Sequence, residues 1–291
     1  MEYLLHILIV INIYLMAAVS LNLIAGYMGM LSLAHASFFG LGAYVSALSA
    51  VYLQTGFITN LGLSIVAALL LSGVIAISSI RLRDDYFVIA TFGCQAIFYS
   101  VVNNWIEMTN GPLGISFTDQ PIILGWRVAT RFDFLILTSV FAAIAVAFAY
   151  RLTASPFGKV LQAIREDEVF AKTLGKDVKR FKVITFISAA ATVSVAGSLY
   201  AYYFTYIDPT SFTVQESILM LAMVIVGGAG RVVSSIVGAV LLIAVPEILR
   251  VSVVSSSAAP HVRQILYGLL LVLFMMFRPQ GIAGRLSFRK N

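Results

Sequence analysis

The sequence predicts an all-α, polytopic helical membrane protein with about nine transmembrane segments. Of its 291 residues, 60% are hydrophobic and only 11% are charged, whereas a soluble domain has about 25% charged residues. Apolar runs of roughly 20 residues, the length that crosses a hydrocarbon core of ~30 Å, recur along the chain. Too few charged residues are therefore available to cover a water-facing surface.

Nine apolar runs are predicted to be spans, within a single transmembrane domain that covers residues 1–291. The runs are residues 4–25, 31–53, 61–80, 86–104, 132–151, 183–205, 217–230, 233–250 and 264–277. The seventh run is short for a crossing and ends in glycines. It is expected to be either a plain span or a broken or re-entrant helix.

The placement of basic residues predicts the orientation of the chain. With nine spans, 15 of the 19 Lys and Arg residues fall on one side of the membrane. The other side receives only Arg127, Arg131, Arg250 and Arg263. Since the basic side of a membrane protein is cytoplasmic, the N-terminus is expected outside and the C-terminus inside. The net charge of +6 then also attracts anionic lipid headgroups, and no basic face of a soluble domain favours a nucleic-acid partner.

Residues 151–182 form the one long charged stretch, RLTASPFGKVLQAIREDEVFAKTLGKDVKRFK. They predict a helix with defined ends, because Ser155 suits the N-cap, Pro156 the first helical position and Gly175 the left-handed position after the last turn. The apolar residues that fall roughly on one face are Val160, Ala163, Ile164, Ala171 and Leu174.

Two interpretations of this helix are open. It could lie on the membrane surface, or it could place its apolar face in a groove of a soluble partner. A lipid-bound helix favours Lys and Arg on its polar face, whereas Glu166, Asp167 and Glu168 put three carboxylates in a row at the helix centre. This mixture of charges favours docking on a partner.

The sequence motifs of several enzyme classes are missing. There is no G-x-x-x-x-G-K-[ST] phosphate loop, so any nucleotide hydrolysis belongs to a separate chain. There is no H-E-x-x-H or G-x-S-x-G motif, and His6, His35 and His261 are far apart without clustered acidic partners. The single cysteine, Cys94, is expected to be a small buried residue. The sequence thus predicts no catalytic residue, no metal site and no cofactor.

Ion-coupled secondary transport usually needs ionisable groups at mid-membrane, and the predicted spans offer few. Asp133 and Glu247 are expected near the outer interface, and Asp84 and Asp85 at the inner surface. Because no central carboxylate is predicted, energy supplied by another subunit is the stronger hypothesis. An ion-coupled secondary transporter or a channel stays as an alternative.

Residues 26–47, GYMGMLSLAHASFFGLGAYVSA, combine an apolar composition with four glycines and a histidine. The glycines are expected to allow close packing and movement of helices. His35 has two open roles: a neutral structural pin bonded to a nearby carbonyl, which is favoured, or a group that with Ser37 holds the exposed backbone of a broken helix beside a pathway. The pathway or packing candidates are Gly29, His35, Ser37, Gly40, Gly42, Gly227, Gly228 and Gly230.

Seven blocks, in order along nearly the whole chain, resemble the permease subunits of bacterial branched-chain amino-acid ABC importers, specifically the M-type member of the LIV pair. The blocks are LNLIAGYMGMLSLAHASFFGLGAY (21–44), RLRDDYFVIATFG (81–93), NGPLGI (110–115), SPFGKVLQAIREDEVFAKTLGKDVKRFK (155–182), YIDPTSF (206–212), SILMLAMVIVGGAG (217–230) and YGLLLVLFMMFRPQGI (267–282).

The resemblance implies a multi-pass permease in the bacterial inner membrane that moves branched-chain or related neutral amino acids into the cytoplasm. It implies four kinds of partner: a homologous second permease, two cytoplasmic ATPase subunits, a periplasmic substrate-binding protein and membrane lipid. A permease of a related urea or short-amide ABC importer is the nearest alternative.

The resemblance also gives the charged stretch a role. In such importers a cytoplasmic loop of each permease inserts into a cleft of its ATPase, and residues 155–182 match that loop. The ATPase-coupling segment is thus expected over residues 153–182. The residues that the resemblance assigns to coupling are Ser155, Pro156, Phe157, Gly158, Ile164, Glu168, Ala171, Leu174 and Gly175.

Overall fold

Eleven α-helices make up most of the described chain in the computed structural model, which describes residues 2–79, 82, 84–117, 119–123, 125–253 and 268. The helices are α1 (Glu2–Asn22), α2 (His35–Leu53), α3 (Phe57–Ser79), α4 (Asp84–Asn104), α5 (Ile106–Thr109), α6 (Arg131–Ala154), α7 (Pro156–Glu166), α8 (Glu168–Thr173), α9 (Val178–Phe204), α10 (Val214–Gly227) and α11 (Val232–Val253). A π-helical turn, Leu23–Met28, continues α1.

Six of these helices are long and apolar enough to cross a membrane: α1, α2, α3, α4, α6 and α9. They match the first six predicted runs, which confirms the all-α polytopic fold class. α3 and α4 carry large exposed apolar side chains along their length, including Leu70, Val74, Ile89 and Ile97. Side chains of this kind suit contact with lipid or with another membrane subunit.

The seventh and eighth predicted runs form a bent pair and not two plain spans. α10 and α11 meet at 119°, so the described residues provide six candidate spans, or seven if the pair counts as one. α10 has 14 residues, about 21 Å of helix, which is too short for a crossing of ~30 Å. The helix stops because Gly228 and Gly230 have φ values of 111° and 92°. The ninth predicted run, 264–277, lies outside the described residues apart from residue 268.

The helical bundle has two ends. At the first, which we call the N-terminal end, Glu2 and Arg131 form an ion pair of 3.4 Å. At the second, which we call the loop-helix end and which carries α7 and α8, α7 lies beside the π-helical turn, where the guanidinium of Arg165 donates to the carbonyl oxygen of Gly26. α1 therefore runs from the N-terminal end to the loop-helix end.

Two small antiparallel ladders lie among the connections. β1 (Ile115–Ser116) pairs with β4 (Tyr206–Ile207), and β2 (Ile122–Ile123) pairs with β3 (Trp126–Arg127). The first ladder ties the α4–α6 connection to the segment that follows α9. That segment then leads through a 3-10 turn, Pro209–Phe212, to the start of α10.

The core of the bundle lies where α2 crosses α9. A Cβ atom on Gly42 would overlap the backbone of Ser194, and one on Gly197 would overlap the carbonyl of Phe39. The two helices approach so closely because glycine is the only residue that fits at these positions. Buried aromatic rings surround the crossing, with Phe39 5.7 Å from Phe212 between ring centroids.

Candidate functional site

The charged stretch folds as two short helices, which corrects the prediction of a single one. The chain leaves helical geometry at Asp167, whose φ and ψ are −155° and 106°. Its carboxylate accepts hydrogen bonds from the backbone N–H groups of Val169 and Phe170 at 2.8 and 2.9 Å. Asp167 therefore acts as the N-cap of α8, and the carboxylate run at 166–168 marks a break.

The first residues of α7 are the predicted ones, but the Ser155 side chain does not cap the helix. Ser155 occupies the N-cap position and Pro156 follows at the start of the helix, but the Ser155 hydroxyl donates backward to the Leu152 carbonyl at 2.6 Å. Gly158 lies so close to the Thr153 backbone that a Cβ atom would overlap it. The turn between α6 and α7 is therefore tight, and the Phe157 ring packs on Phe181 at 4.9 Å.

Two of the apolar residues predicted to face a partner are buried inside this chain. Ile164 and Ala171 are 4% and 1% exposed, and they form a small core with Val178. Val160 and Phe181 pack against this core. This corrects the prediction that Ile164 and Ala171 dock on a partner, since they hold α7 and α8 against the start of α9.

The outer surface of α8 is apolar and open. Val169, Phe170 and Leu174 are 69%, 58% and 60% exposed. Gly175 follows with a left-handed φ of 73°, and no atom of the described chain lies within 4 Å of a Cβ built there. We call Val169, Phe170 and Leu174 the α8 patch. Of these three residues the sequence prediction included only Leu174.

Glu168 forms two salt bridges, one within α8 and one that fixes α8 to α9. Glu168 pairs with Lys172 and with Lys182, each at 2.7 Å, and the Lys182 side chain is only 5% exposed. Partial burial acts to raise the pKa of Glu168, but hydrogen bonds and charge from the two lysines outweigh it, so the pKa lies below its ordinary value. Glu168 is therefore a structural residue of this loop in addition to any role at its surface.

Arg165 joins the loop helices to α1. Its side chain lies against Gly29, where φ is 79° and a Cβ atom would come within 2.7 Å of the arginine Cγ. Burial lowers the pKa of Arg165 from its ordinary value. A guanidinium stays charged in proteins, so its contact with the Gly26 carbonyl is a charge-assisted hydrogen bond.

A second contact joins the same turn to the bend between α10 and α11. The Asn22 side chain donates to the Arg231 carbonyl at 2.8 Å and accepts from the Gly230 N–H at 3.0 Å. A Cβ on Gly26 would overlap both Asn22 and Gly230. α7 therefore contacts the π-helical turn, and Asn22 beside that turn contacts the bend between α10 and α11.

Residues 29–34 between α1 and α2 are non-helical and lie within the bundle, where their backbone needs partners. The Ser217 hydroxyl donates to the Leu33 carbonyl at 2.7 Å and accepts from the Ala36 N–H at 2.9 Å. Thr91 accepts from the Leu33 N–H at 3.1 Å, and Ser37 donates to the Ala34 carbonyl at 2.6 Å. The sequence pointed to Ser37, whereas Thr91 and Ser217 were missed because they come from distant helices.

His35 is fully buried at the first residue of α2. Its Nε2 atom lies 2.8 Å from the hydroxyl oxygen of Ser20, and this hydroxyl donates to the Ala17 carbonyl, also at 2.8 Å. Because the Ser20 hydroxyl donates its only proton to the Ala17 carbonyl, it accepts from the ring, and the His35 Nε2 atom is the donor. The ring therefore joins α2 to α1 through a serine, and among the described residues its Nδ1 has no hydrogen-bond partner.

The remaining packing candidates lie at close helix contacts. Gly40 lies beside the rings of Phe98 and Phe212, and a Cβ on Gly227 would overlap the backbone of Ser234 in α11. Gly228 and Gly230 form the bend described above. The predicted glycines of the helices are therefore divided among the α2–α9 crossing (Gly42), the rings of Phe98 and Phe212 (Gly40) and the α10–α11 bend (Gly227, Gly228 and Gly230).

Glu216 is a carboxylate at mid-bundle, which corrects the prediction that none would be central. It lies in the first turn of α10 and accepts a hydrogen bond of 3.0 Å from Tyr14. Tyr14 is 12 residues along α1, about 18 Å from its start. Glu247, by contrast, accepts from Tyr3 at 2.8 Å near the N-terminal end.

Residues 3–275 match the family model described as "Branched-chain amino acid transport system / permease component". The chain belongs to this permease family. It is 32% identical to the high-affinity branched-chain amino acid transport system permease protein LivM of Escherichia coli K12, over 93% of this chain and 67% of that protein. The LivH permease protein of the same system and organism is 24% identical, over 95% of this chain and 93% of that protein.

Among solved structures, PsaBC from Streptococcus pneumoniae in complex with Fab has a similar fold. The TM-score is 0.51 with 17% identity, over 96% of this chain and 93% of that chain. This likeness concerns the fold alone. The family match favours a permease, and it favours neither a urea or short-amide importer nor an ion-coupled transporter.

Proposed function

We propose that this permease imports branched-chain amino acids as the membrane subunit of an ATP-binding-cassette importer. The observation that carries the proposal is the family match over residues 3–275 together with 32% identity to LivM of Escherichia coli. No phosphate-loop motif occurs in the sequence, so ATP hydrolysis belongs to separate ATPase chains.

The proposed complex contains this chain, a homologous second permease, two cytoplasmic ATPases and a periplasmic substrate-binding protein. The similarity to both LivM and LivH supports the pairing of two related permeases. The whole chain, residues 1–291, then serves as one permease domain in the inner membrane. Its N-terminal end faces outward and its loop-helix end faces the cytoplasm, which agrees with the density of basic residues in 151–182.

In this complex the α8 patch docks in a cleft of the ATPase. Three large apolar side chains exposed on a short, charged loop suit a protein partner better than water. Ion pairs of Glu168 and the small core of Ile164, Ala171 and Val178 hold the patch at a fixed angle to α9. Because α8 is attached to α9 in this way, a movement of the ATPase can displace the helical bundle.

The movement reaches the bundle through Arg165. ATP binding closes the ATPase dimer and draws the loop helices together, which rocks the permeases between outward- and inward-facing states. Arg165 transfers that displacement to the turn at Gly26, and Asn22 transfers it to the bend at Gly230. The α10–α11 pair is the element that this chain of contacts can shift.

The proposal is tested in cells that lack their own branched-chain amino-acid import. The complete set of subunits should restore uptake of labelled leucine, isoleucine and valine, and a variant ATPase without its phosphate-loop lysine should abolish it. Restored uptake of urea but not of leucine would contradict the proposed substrate class. Uptake that persists with the inactive ATPase would contradict ATP-driven import.

A further inference from the structure

A cavity of about 380 Å³ lies among α1, α9, α10 and α11. Its polar lining includes His6, Tyr14, Tyr200, Glu216 and Glu247. Cavities of about 300–1,000 Å³ with a few polar groups are typical of small-molecule sites. The cavity therefore has the size and the lining of a site for a small polar molecule.

The two carboxylates of the cavity lie at different depths. Glu247 accepts from Tyr3, and Glu216 accepts from Tyr14. Tyr3 and Tyr14 are 11 residues apart on α1, so their Cα atoms are separated by about 16 Å along the helix axis. Glu247 therefore lies toward the N-terminal end of the cavity and Glu216 toward mid-bundle. Among the described residues, no group of three or more His, Cys, Asp or Glu side chains could hold a metal ion.

The remaining wall of the cavity is mostly aliphatic, apart from Phe204 and Ser211. Ile7 and Val10 of α1, Leu219 of α10 and Ile243 of α11 line it. Val10 is one helical turn from Tyr14, and Leu219 is one turn from Glu216, so aliphatic surface lies next to the inner carboxylate. A ligand that fits both surfaces has a cationic group and an aliphatic side chain a few atoms away.

We propose that Glu216 binds the α-ammonium group of an aliphatic amino acid during its passage, with the aliphatic side chain against Val10 and Leu219. This inference rests on the proposed function. Glu216 lines the cavity, and a carboxylate at this position can accept a charge-assisted hydrogen bond from a substrate ammonium group. Glu247 lies nearer the N-terminal end, where an incoming ammonium group meets it first.

The test uses the complete importer in proteoliposomes with its binding protein and labelled leucine. Glu216→Gln removes the charge at nearly constant shape, Glu216→Asp keeps it, and Glu107→Gln, at an exposed residue outside the cavity, is the matched control. We expect Glu216→Gln to lower uptake at least tenfold while ATP hydrolysis stimulated by the binding protein is kept. Glu216→Asp should recover part of the uptake, and Glu107→Gln should match the wild type.

Uptake by Glu216→Gln within twofold of the wild type would overturn the inference, and so would equal losses in Glu216→Gln and Glu216→Asp. If Glu216→Gln fails to assemble, Val10→Phe decides, because a phenyl ring fills the space beside Glu216 without touching its charge. The leucine-to-valine uptake ratio should then fall at least threefold, and an unchanged ratio would overturn the inference. Wild-type complex that imports no leucine with ATP would instead contradict the proposed function itself.

Discussion

The guanidinium of Arg165 donates to the carbonyl oxygen of Gly26, and this contact joins the loop helices to α1. The same turn of α1 touches Gly230 through Asn22. These two contacts connect the surface proposed to bind an ATPase with the bend between α10 and α11. They form a described route from the loop to α10 and α11, two of the helices that line the cavity.

Replacement of Arg165 by alanine is expected to separate ATP hydrolysis from transport. The α8 patch is unchanged in Arg165→Ala, so the ATPase still binds, but the displacement no longer reaches Gly26. We expect leucine uptake to fall about tenfold, the equivalent of ~1.4 kcal/mol, with hydrolysis close to normal. Both rates are measured in one proteoliposome preparation. Arg180→Ala, at an exposed position of α9, is the control, and equal effects in the two variants would contradict the proposed route.

Replacement of Phe170 by aspartate is expected to release the ATPase. The side chain is 58% exposed, so the stability of the permease should change by no more than about 0.5 kcal/mol. The charge should nevertheless abolish co-purification with the ATPase, because it would be desolvated in an apolar cleft. Leu113→Asp changes an apolar residue that is 74% exposed at another part of the surface and should leave the complex intact. Normal co-purification of Phe170→Asp would refute the docking surface.

Glu168 is expected to make the stability of the loop depend on pH. Its pKa is lowered in the folded state, so its stabilising effect is present above the unfolded pKa and is lost as pH falls through the folded pKa. Glu168→Gln should therefore lower the Tm of the purified permease by a few degrees at most near pH 7, since the carboxylate is partly exposed, and the Tm difference should shrink as acid protonates Glu168. The comparison is made by thermal unfolding in detergent. A Tm difference that persists in acid would show that lost packing, and not lost charge, causes it.

The crossing of α2 and α9 is expected to tolerate no side chain at Gly42 or Gly197. Either Gly42→Leu or Gly197→Val should separate the helices, at a cost of about 3 kcal/mol or more for such overpacking. Gly93→Ala is the control, since no atom lies within 4 Å of a Cβ at that position. The yield and Tm of each variant give the measurement, and near-normal values for Gly42→Leu would contradict the described crossing.

His35 is expected to act on stability and not on transport itself. His35→Ala leaves the Ser20 hydroxyl without its ring partner, and the loss of a buried hydrogen bond costs about 1–3 kcal/mol. The Tm should fall, while the leucine uptake of the assembled complex stays within about threefold of the wild type. A His35→Ala complex that assembles at normal stability but does not transport would show a direct role in the pathway.

Much of the fold follows from local sequence. An uninterrupted apolar run of membrane-spanning length has few alternatives to a helix, so the six long helices were predicted within a few residues at most ends. The start of α9 was placed at 183 and lies at Val178, because the charged residues before the apolar run also belong to the helix. The bend after α10 was signalled by its glycines, but its angle depends on the packing of Gly227 against α11.

The parts of the candidate site that were missed depend on contacts between distant residues. Glu216 directly precedes the apolar run at 217–230 and was not among the predicted candidates, yet the 3-10 turn at Pro209–Phe212 leads into α10 and Glu216 lies at the level of Tyr14. The helix break at Asp167 lies within a charged run that suits a continuous helix equally well. The burial of Ile164 and Ala171 depends on where α9 lies, which the helical pattern of the loop does not specify.

The most direct measurement of the central claim is leucine uptake by proteoliposomes that contain the complete importer, with ATP or ADP supplied at the ATPase side and binding protein at the other. The account predicts uptake with ATP, none with ADP, and no effect of an uncoupler that dissipates ion gradients. Uptake that proceeds with ADP and stops with the uncoupler would contradict it.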